Sequence, residues 1–548
     1  MTGEMPVAAD DDGDGTSWKN NDSVTPAGHL ARLGLAVALA GILLGWLAAH
    51  TDLFFADGLR YIAQARALDR GTFSEGLRNA VDHPVYPLAV AAVHRLTGGD
   101  SPEAWQRAAQ LASIAAALLL VVPLYLLARD LFGDRPALPA CLLFYAVPLT
   151  GHVFADTLSE STFLLFWAWG LWGALRFLEA GERGWLPLVV LGSGLAYLSR
   201  PEGLLLPAAL ATTLVLCPRW VAGGMRGRRP LLGLAAVVLG AAVVVGPYAA
   251  LRGGLGTKPS IARLLGTAPR SDAHAVERQR PLDPRQTGLK TAALAAKAVV
   301  KAVTEAVSWP LVPLALIGLC GVRPHGPSAR GWTLLAVIGA ASVLALMRLH
   351  ATGGYCSPRH ALILALILIP AATAGLIGTL DRLVDELARR GWLALGPACA
   401  GAKAAALSTA LLGLAVVFAP QSLAPVNEGL QGYKEAGRWL SAGAGAGDGL
   451  VVDVTGWSQF YAQRPGGYTF ENLAAASSDP GARWVVVREA HLIGPWTYCK
   501  QLDALVAGRA PVHVFAGKTG RHPTRVLVFD RQPPIAGRPE PLPGSVRR

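Results

Sequence analysis

The side chains best suited to chemistry lie between the first and second apolar runs of the chain. They are Asp57, Arg60 and Tyr61 at the start of this segment, and Asp82, His83 and Tyr86 at its end. Ionisable residues at the ends of apolar helices mark sites of chemistry or transport in membrane proteins. Asp57 also has a structural interpretation, because Asp is a favoured N-cap residue and a helix is expected after it.

Three further polar clusters stand beside later apolar runs. They are Asp156 with Glu160, Arg200 with Glu202, and Tyr355 with Arg359 and His360. Asp156 has the alternative of capping the next helix, and Glu160 would then lie one turn inside, where an unpaired carboxylate is costly. Arg200 suits phosphate binding and pairing with Glu202 equally well.

These residue types suggest a group-transfer reaction. A carboxylate can act as the general base that activates a hydroxyl or amine acceptor. Arginine holds phosphate through charge-assisted hydrogen bonds, and such contacts neutralise the charge on a departing phosphate. We therefore predict a catalytic role for Asp57, Asp156 and Glu160, and donor or phosphate binding for the remaining residues named above. The predicted reaction moves a sugar from a lipid-linked phosphate to an acceptor.

Composition indicates an integral membrane protein. The chain has 548 residues, of which 52% are hydrophobic and only 16% charged, whereas soluble domains carry roughly 25% charged residues. The net charge is +12, and much of it lies in short loops, where it sets orientation and contacts membrane lipids. Because no basic groove interleaved with aromatic residues is present, we do not expect nucleic acid as a partner. The acidic segment 1–28 is expected to be a disordered cytoplasmic N-terminus.

Apolar runs that can form membrane helices predict an α-helical polytopic membrane protein with about eleven spans. The positive-inside rule places the N-terminus in the cytoplasm and the C-terminus outside, because the short basic loops then lie inside. The polar clusters then share the outer face with two long loops, 51–107 and 252–306, the second containing an amphipathic helix at 290–306. The runs are 31–50, 108–128, 136–154, 161–178, 185–199, 203–217, 231–251, 307–322, 331–349, 361–380 and 402–420.

The composition changes after Pro420, which divides the chain into a membrane domain at 29–420 and a small extracytoplasmic α/β domain at 421–548. In the second domain we predict a helix at 427–443, followed by buried strands. Two cysteines, Cys356 and Cys499, would share the outer compartment, where a disulfide between them is possible. The predicted strands are 449–454, 483–487, 511–515 and 524–529.

The polar clusters and their order also resemble a known family. The chain is similar to the polytopic GT-C glycosyltransferases, in the family that includes protein O-mannosyltransferases and the lipid A aminoarabinose transferase, over roughly residues 30–380. The resemblance rests on Asp57 with Tyr61, His83-Pro84-Val85-Tyr86-Pro87, Asp156 with Ser159 and Glu160, Ser199-Arg200-Pro201-Glu202-Gly203, and Tyr355 with Arg359 and His360.

The resemblance implies a GT-C-like fold in the plasma or inner membrane, with its active face outside the cytoplasm. It also implies that the donor is a polyprenyl-phosphate-linked sugar, that the acceptor is a protein, lipid or glycan, and that Asp57 is the base. Many members carry two adjacent acidic residues in the first loop, whereas Gly58 follows Asp57 here. Asp156 or Glu160 can then share the acid–base role.

Three other interpretations stay open at this point. Asp57, Asp156, Glu160 and His83 can gather around a divalent cation, although no ligand spacing demands one and the resemblance implies no cofactor. A transporter or flippase of a lipid-linked or small polar substrate is the main alternative function, and it would need polar residues on both faces. A membrane-anchored scaffold, whose outer domain does the work, is the third.

Overall fold

The fold is that of a helical membrane protein followed by a small α/β unit, as seen in a computed structural model. Within the described residues, the membrane part is almost entirely helical. The structure describes residues 25–78, 80–216, 229–254, 288–321, 329–353, 356–392, 397–443, 449–464, 466–517 and 524–532.

Each predicted apolar run contains a helix. Only some of these helices are long enough to cross a membrane. Among the described residues, six helices pass this test, or up to eight if each of two bent pairs forms one span. The number of spans and their orientation therefore stay predictions. The helices are α1 Pro26–His50, α2 Asp57–Asp69, α3 Phe73–Arg78, α4 Val85–Thr97, α5 Pro102–Phe132, α6 Asp134–Ala146, α7 Pro148–Ala155, α8 Glu160–Ala180, α9 Leu186–Ser199, α10 Leu205–Leu216, α11 Arg229–Arg252, α12 Leu289–Val307, α13 Leu311–Gly321, α14 Ala329–Gly353, α15 Leu362–Arg389 and α16 Pro397–Ser422.

Local sequence explains where the first of these helices begins and where two others bend. Thr25 caps α1 with a 3.2 Å hydrogen bond from the Gly28 N–H, so the helix starts inside the segment predicted to be disordered, the rest of which lies outside the described residues. Pro148 opens α7 after a 68° bend from α6. The predicted amphipathic helix at 290–306 is observed as α12, at 90° to α13.

α13 and α15, the helix that follows Arg359, pack very closely on each other. A Cβ atom added to Gly318 would lie 1.8 Å from the Ala371 carbonyl oxygen, and one added to Gly375 would lie 2.0 Å from the Leu314 carbonyl oxygen. Small residues let two membrane helices approach this closely. The 3-10 turn Pro358–Ala361 leads directly into α15, so this contact holds the helix that the turn precedes.

The residues after Ser422 form the C-terminal unit, an α/β structure built on a four-stranded sheet in the order β1-β2-β4-β3. β1 pairs with β2 in parallel, and the other pairs are antiparallel. The four strands and the helix after Pro420 confirm the predicted α/β composition, although the helix begins at Gly432 rather than at residue 427. The elements are α17 Gly432–Gly443, β1 Leu450–Val452, α18 Trp457–Tyr461, β2 Ala482–Arg488, α19 Thr497–Val506, β3 His513–Ala516 and β4 Arg525–Asp530.

The C-terminal unit shares a continuous apolar core with the membrane helices, in which Phe54 and Tyr461 are both buried. The division at residue 420 stays a prediction, since α16 continues to Ser422. Cys356 and Cys499 are both free cysteines in the structure, and Cys499 is buried in the core of the unit. The disulfide that the sequence allowed between them is therefore not present.

Candidate active site

Asp57 is the first residue of α2, and its carboxylate lies between two arginines. Its Oδ2 accepts a hydrogen bond from Arg359 Nη2 at 2.5 Å, and its Oδ1 lies 3.0 Å from Arg60 Nη2. The Arg359 guanidinium also lies over the Phe55 ring, 4.5 Å from its centre. The N-cap of α2 is Ala56, so the interpretation of Asp57 as an N-cap is wrong.

Ion pairs continue on both sides of Asp57. Arg60 Nε lies 2.9 Å from the buried Asp82 carboxylate. Arg359 Nε lies 3.6 Å from Glu160 Oε1, and the same oxygen accepts a 2.7 Å hydrogen bond from Arg200. Arg200 also donates to Glu202 at 2.9 Å, so the pairing that the sequence allowed is present. We call this set the ion-pair network: Asp82, Arg60, Asp57, Arg359, Glu160, Arg200 and Glu202.

Asp156 lies near the network, but its carboxylate binds backbone. Its Oδ1 accepts hydrogen bonds from the Thr157 N–H at 2.7 Å and from the Phe55 N–H at 3.0 Å. Burial raises the pKa of Asp156 to about 7, against the opposing effect of these hydrogen bonds. The N-cap of α8 is Ser159, so the expectation that Asp156 caps this helix is wrong. Asp156 instead ties the segment before α2 to the turn between α7 and α8.

Gly58 is explained by close packing. A Cβ atom added to Gly58 would lie 1.8 Å from Thr157 Oγ1 and 2.7 Å from a ring carbon of Phe54. No side chain fits at this position without moving the turn after α7. The absence of a second acid beside Asp57 is thus a consequence of how α2 packs on that turn.

The two tyrosines of the first loop have their hydroxyl groups in the interior. Tyr61 Oη lies 3.0 Å from Ser159 Oγ, and Tyr86 donates to the Ala109 carbonyl oxygen at 2.9 Å. Their rings meet edge to face, with centres 5.1 Å apart. Both residues therefore connect the first loop to α5 and α8, and the structure places them behind the ion-pair network rather than in it.

The histidines occupy two different surroundings. His83 is buried and meets the Tyr197 ring edge to face, with centres 4.9 Å apart. His360 follows Arg359 and lines a small cavity beside Glu160, Arg200 and Glu202. Tyr355 lies outside the described residues, so its predicted role stays a prediction.

That cavity has a charged wall and an apolar wall. Its volume is about 10 Å³, which is close to the smallest space that holds a water molecule. The apolar wall consists of Phe163 and Leu164 from α8 together with Leu362 and Ile363 from α15. The ion-pair network thus ends at a point where polar and apolar surfaces meet.

Sequence reasoning missed a group of residues on the far side of Asp82. Tyr248 and Arg252 lie at the end of α11, and Arg252 donates a hydrogen bond to the Tyr248 hydroxyl. The Tyr248 ring lies 5.8 Å from the His83 ring. The spacing of a tyrosine and an arginine, four residues apart at the end of an apolar run, was a usable signal.

The described ranges contain no cluster of side chains that could bind a metal ion. No group of three or more His, Cys, Asp or Glu side chains there is arranged to hold a metal ion. The carboxylates that could do so bind arginine or backbone N–H groups instead, as described above. Cofactor dependence stays a prediction.

Comparisons with known proteins bear on the family and the fold. Residues 82–248 match the sequence model of the family described as dolichyl-phosphate-mannose-protein mannosyltransferase. This segment includes Asp82, His83, Asp156, Glu160, Arg200 and Glu202. Comparison with curated protein sequences gave no significant match.

Solved structures show the same fold at low sequence identity. ArnT from Cupriavidus metallidurans bound to undecaprenyl phosphate is 16% identical with a TM-score of 0.56, covering 94% of this chain and 99% of that one. An Archaeoglobus fulgidus oligosaccharyltransferase in the apo form is 12% identical with a TM-score of 0.54, covering 85% of this chain and 70% of that one. The archaeal oligosaccharyltransferase AglB, from the same organism and in complex with an inhibitory peptide and a dolichol-phosphate, is 13% identical with a TM-score of 0.50, covering 84% of this chain and 69% of that one.

The matched family and the shared fold together identify the class of protein. The chain has the multi-pass fold of the GT-C glycosyltransferases, and the family match over residues 82–248 indicates a membrane glycosyltransferase. The resemblance noted in the sequence is thereby confirmed, and so is the helical membrane fold with its small C-terminal α/β unit.

Proposed function

We propose that this protein transfers a sugar from a polyprenyl-phosphate donor to an acceptor at the extracytoplasmic surface, with Asp57 as the general base. The single observation that carries the proposal is the position of Asp57 between Arg60 and Arg359. It combines a base and phosphate-binding groups at one point. ArnT and AglB, which share the fold, were solved with undecaprenyl phosphate and a dolichol-phosphate.

We assign activation of the acceptor to Asp57. Its side chain keeps 20% of its surface exposed, in contrast to 2% for Glu160. Nearby opposite charges favour the ionised form of a carboxylate, which is the form a general base needs. Asp57 would take the proton from the acceptor hydroxyl or amine as that atom attacks the anomeric carbon.

We assign binding of the sugar donor to the arginines that face the small cavity. Arg359 and Arg200 are both close to Glu160, and the apolar wall of Phe163 and Leu362 lies next to them. A lipid phosphate has the same two-part chemistry, an anionic group joined to an apolar chain. Its phosphate would bind the arginines and His360, while the polyprenyl chain would leave along the apolar wall.

The proposed reaction is a single displacement. A bond forms between the acceptor atom and the anomeric carbon, and the bond from that carbon to the phosphate oxygen breaks. The phosphate leaves with the electron pair, and its charge is neutralised by the guanidinium groups. Attack from the face opposite the phosphate inverts the configuration of the anomeric carbon.

The experiment compares two matched substitutions in α2. Cells lacking this protein are complemented with the wild type, with Asp57→Asn or with Asp69→Asn, and glycans and lipids are analysed by mass spectrometry. Asp69 is the last residue of the same helix and pairs with Arg95 on the surface. We expect Asp57→Asn to lower product by about 100-fold or more, and Asp69→Asn to leave it unchanged. Full activity of a folded Asp57→Asn protein would show that the base is another group.

A further inference from the structure

The segment that carries Asp57 is in contact with the C-terminal unit both before and after this residue. Before Asp57, the Asp52 carbonyl oxygen accepts a hydrogen bond from Lys434 and the Leu53 carbonyl oxygen accepts one from Asn427, each at 3.1 Å. These are bonds to the main chain, so they fix the path of the backbone rather than a single side chain. On the membrane side, the same segment is held by the hydrogen bond from the Phe55 N–H to Asp156.

Aromatic packing adds to these backbone bonds. The fully buried Phe54 meets the Phe460 ring edge to face, with centres 5.4 Å apart, and it also meets the Tyr461 ring at 6.3 Å. Phe460 and Tyr461 belong to α18 of the C-terminal unit. Buried aromatic pairs of this kind contribute beyond the area they bury.

Contacts after Asp57 hold the helix that it begins. The Arg66 guanidinium lies between two rings, 5.3 Å from the centre of Trp105 and 5.1 Å from that of Phe460. Leu59 approaches Gly456 so closely that an added Cβ atom would lie 3.2 Å from its Cδ1. The C-terminal unit therefore touches α2 two residues after Asp57 and again at Arg66 in its last turn.

A buried hydrogen-bond relay links the unit to the end of α1. The Tyr461 hydroxyl donates to Gln106 Oε1 at 2.6 Å, and Gln106 Nε2 donates to the Thr51 carbonyl oxygen at 3.3 Å. Thr51 is the C-cap of α1, and both Gln106 and Thr51 are buried. A hydrogen-bonded polar relay in the interior fixes geometry, because any displacement leaves a buried polar atom unsatisfied.

We propose that the C-terminal unit positions Asp57 for catalysis, with Tyr461 as a positioning residue that acts through Gln106 and Thr51. The unit would then be part of the active-site framework, although none of its described side chains belongs to the ion-pair network. Orientation of reacting groups is worth large rate factors, and a shift of about 1 Å can cost about 100-fold. This inference rests on the proposed role of Asp57.

The experiment uses the full chain in detergent and compares Tyr461→Phe with Tyr468→Phe. Tyr468 is a matched control, because its hydroxyl binds Asp479 inside the same unit and lies outside the relay. Hydrogen–deuterium exchange of peptides spanning residues 51–58 is measured together with the rate of sugar transfer from a membrane lipid extract. We expect Tyr461→Phe to speed exchange there and to lower the rate by about tenfold, and Tyr468→Phe to change neither.

A second substitution tests whether the relay acts as one unit. Gln106→Leu removes both of its bonds, so its effect on the rate should not add to that of Tyr461→Phe. Unchanged exchange and rate in Tyr461→Phe, or equal effects in the two tyrosine variants, would overturn the positioning role. Because the exchange readout does not require Asp57 to be the base, failure of the proposed function would appear separately, as full transfer by Asp57→Asn.

Discussion

At the residue scale, Glu160 is an ion-pair partner of two arginines, and its predicted catalytic role stays a prediction. Its carboxylate is nearly fully buried and contacts Arg200 and Arg359 through the same oxygen. It therefore holds the two guanidinium groups at one place and offsets their mutual repulsion. This role fits a residue that positions the phosphate-binding arginines better than one that shares a proton with the acceptor.

Removing the charge of Glu160 should destabilise the protein as well as weaken donor binding. Glu160→Gln leaves two arginines close together in the interior without their shared counter-charge, and breaking a buried pair costs about 3–5 kcal/mol. Thermal unfolding in detergent measures the change. The control is Glu202→Gln, where the carboxylate is 35% exposed, and its loss should be smaller. Equal effects of the two substitutions would contradict this account.

Gly58 provides a second prediction at this scale. Gly58→Ala should lower the free energy of unfolding by about 1–3 kcal/mol through overpacking, because its Cβ atom would overlap with Thr157. Gly45→Ala in α1 is the control, since an added Cβ atom there has nothing within 4 Å. A Gly58→Ala protein as stable as the Gly45→Ala protein would show that the turn after α7 can move freely.

The raised pKa of Asp156 predicts how the stability of the protein depends on pH. Its folded-state pKa of about 7 is above the ordinary value of 3.8, so the folded protein binds this proton more tightly than the unfolded chain does. Its contribution to stability is complete below about pH 4 and is lost as the pH rises through 7. The melting temperature should therefore fall between pH 5 and pH 8, and Asp156→Asn should make that fall shallower. An identical slope in the variant would contradict the assignment.

Residue types and order were enough to find the members of the ion-pair network, because charged groups are rare beside apolar runs. Apart from Arg200 with Glu202, the partners within it were not predictable, since the Arg359–Asp57 contact joins residues 302 positions apart. The tight fit at Gly58 was equally hidden, because it depends on where α7 ends in space. Sequence reasoning supplied candidates, and the packing of helices decided which carboxylate faces which arginine.

At the element scale, we expect the crossing of α13 and α15 to influence where Arg359 lies, since Arg359 precedes α15 directly. Gly375 faces the Leu314 carbonyl oxygen across this crossing, and Arg359 sits in the turn that precedes α15. A large side chain at the crossing would push the helices apart and displace the turn. The site is therefore sensitive to a contact that lies deep in the bundle.

Gly375→Leu should lower the melting temperature and abolish binding of undecaprenyl phosphate, used as a probe in nanodiscs. Gly378→Leu, in the same helix, is the matched control, because an added Cβ atom at Gly378 has nothing within 4 Å. We expect the control to keep both stability and binding. Retained binding in a folded Gly375→Leu protein would show that the turn is positioned by something other than this crossing.

Helix positions were predictable at this scale because apolar runs of this length have few alternatives to a helix in a membrane. Bends were not predicted, and the sharp turn at Pro148 and the right angle between α12 and α13 reduce the number of full-length spans. The strands of the C-terminal unit were found from their short β-branched runs. Their order in the sheet was not, since it depends on contacts between distant segments.

At the scale of the whole molecule, one apolar cluster runs through both parts, and the C-terminal unit also has a second apolar cluster of its own. Trp457 and Tyr461 of the C-terminal unit belong to the same buried cluster as Leu44 and Phe54 of the membrane part. The sequence indicated a change of composition after Pro420, which favoured a domain boundary. Composition does not show which surfaces pack against each other. The contact of this unit with the segment around Asp57 could therefore not be predicted.

The most direct measurement of the central claim is the release of free polyprenyl phosphate by the purified protein. The protein is supplied with a membrane extract containing polyprenyl-phosphate sugars and acceptors, and the lipid product is quantified by mass spectrometry. The account predicts release by the wild type, and release lowered by about 100-fold in Asp57→Asn, which should still bind the lipid through Arg359 and Arg200. Release at the wild-type rate by a folded Asp57→Asn protein, or no release by the wild type, would contradict it.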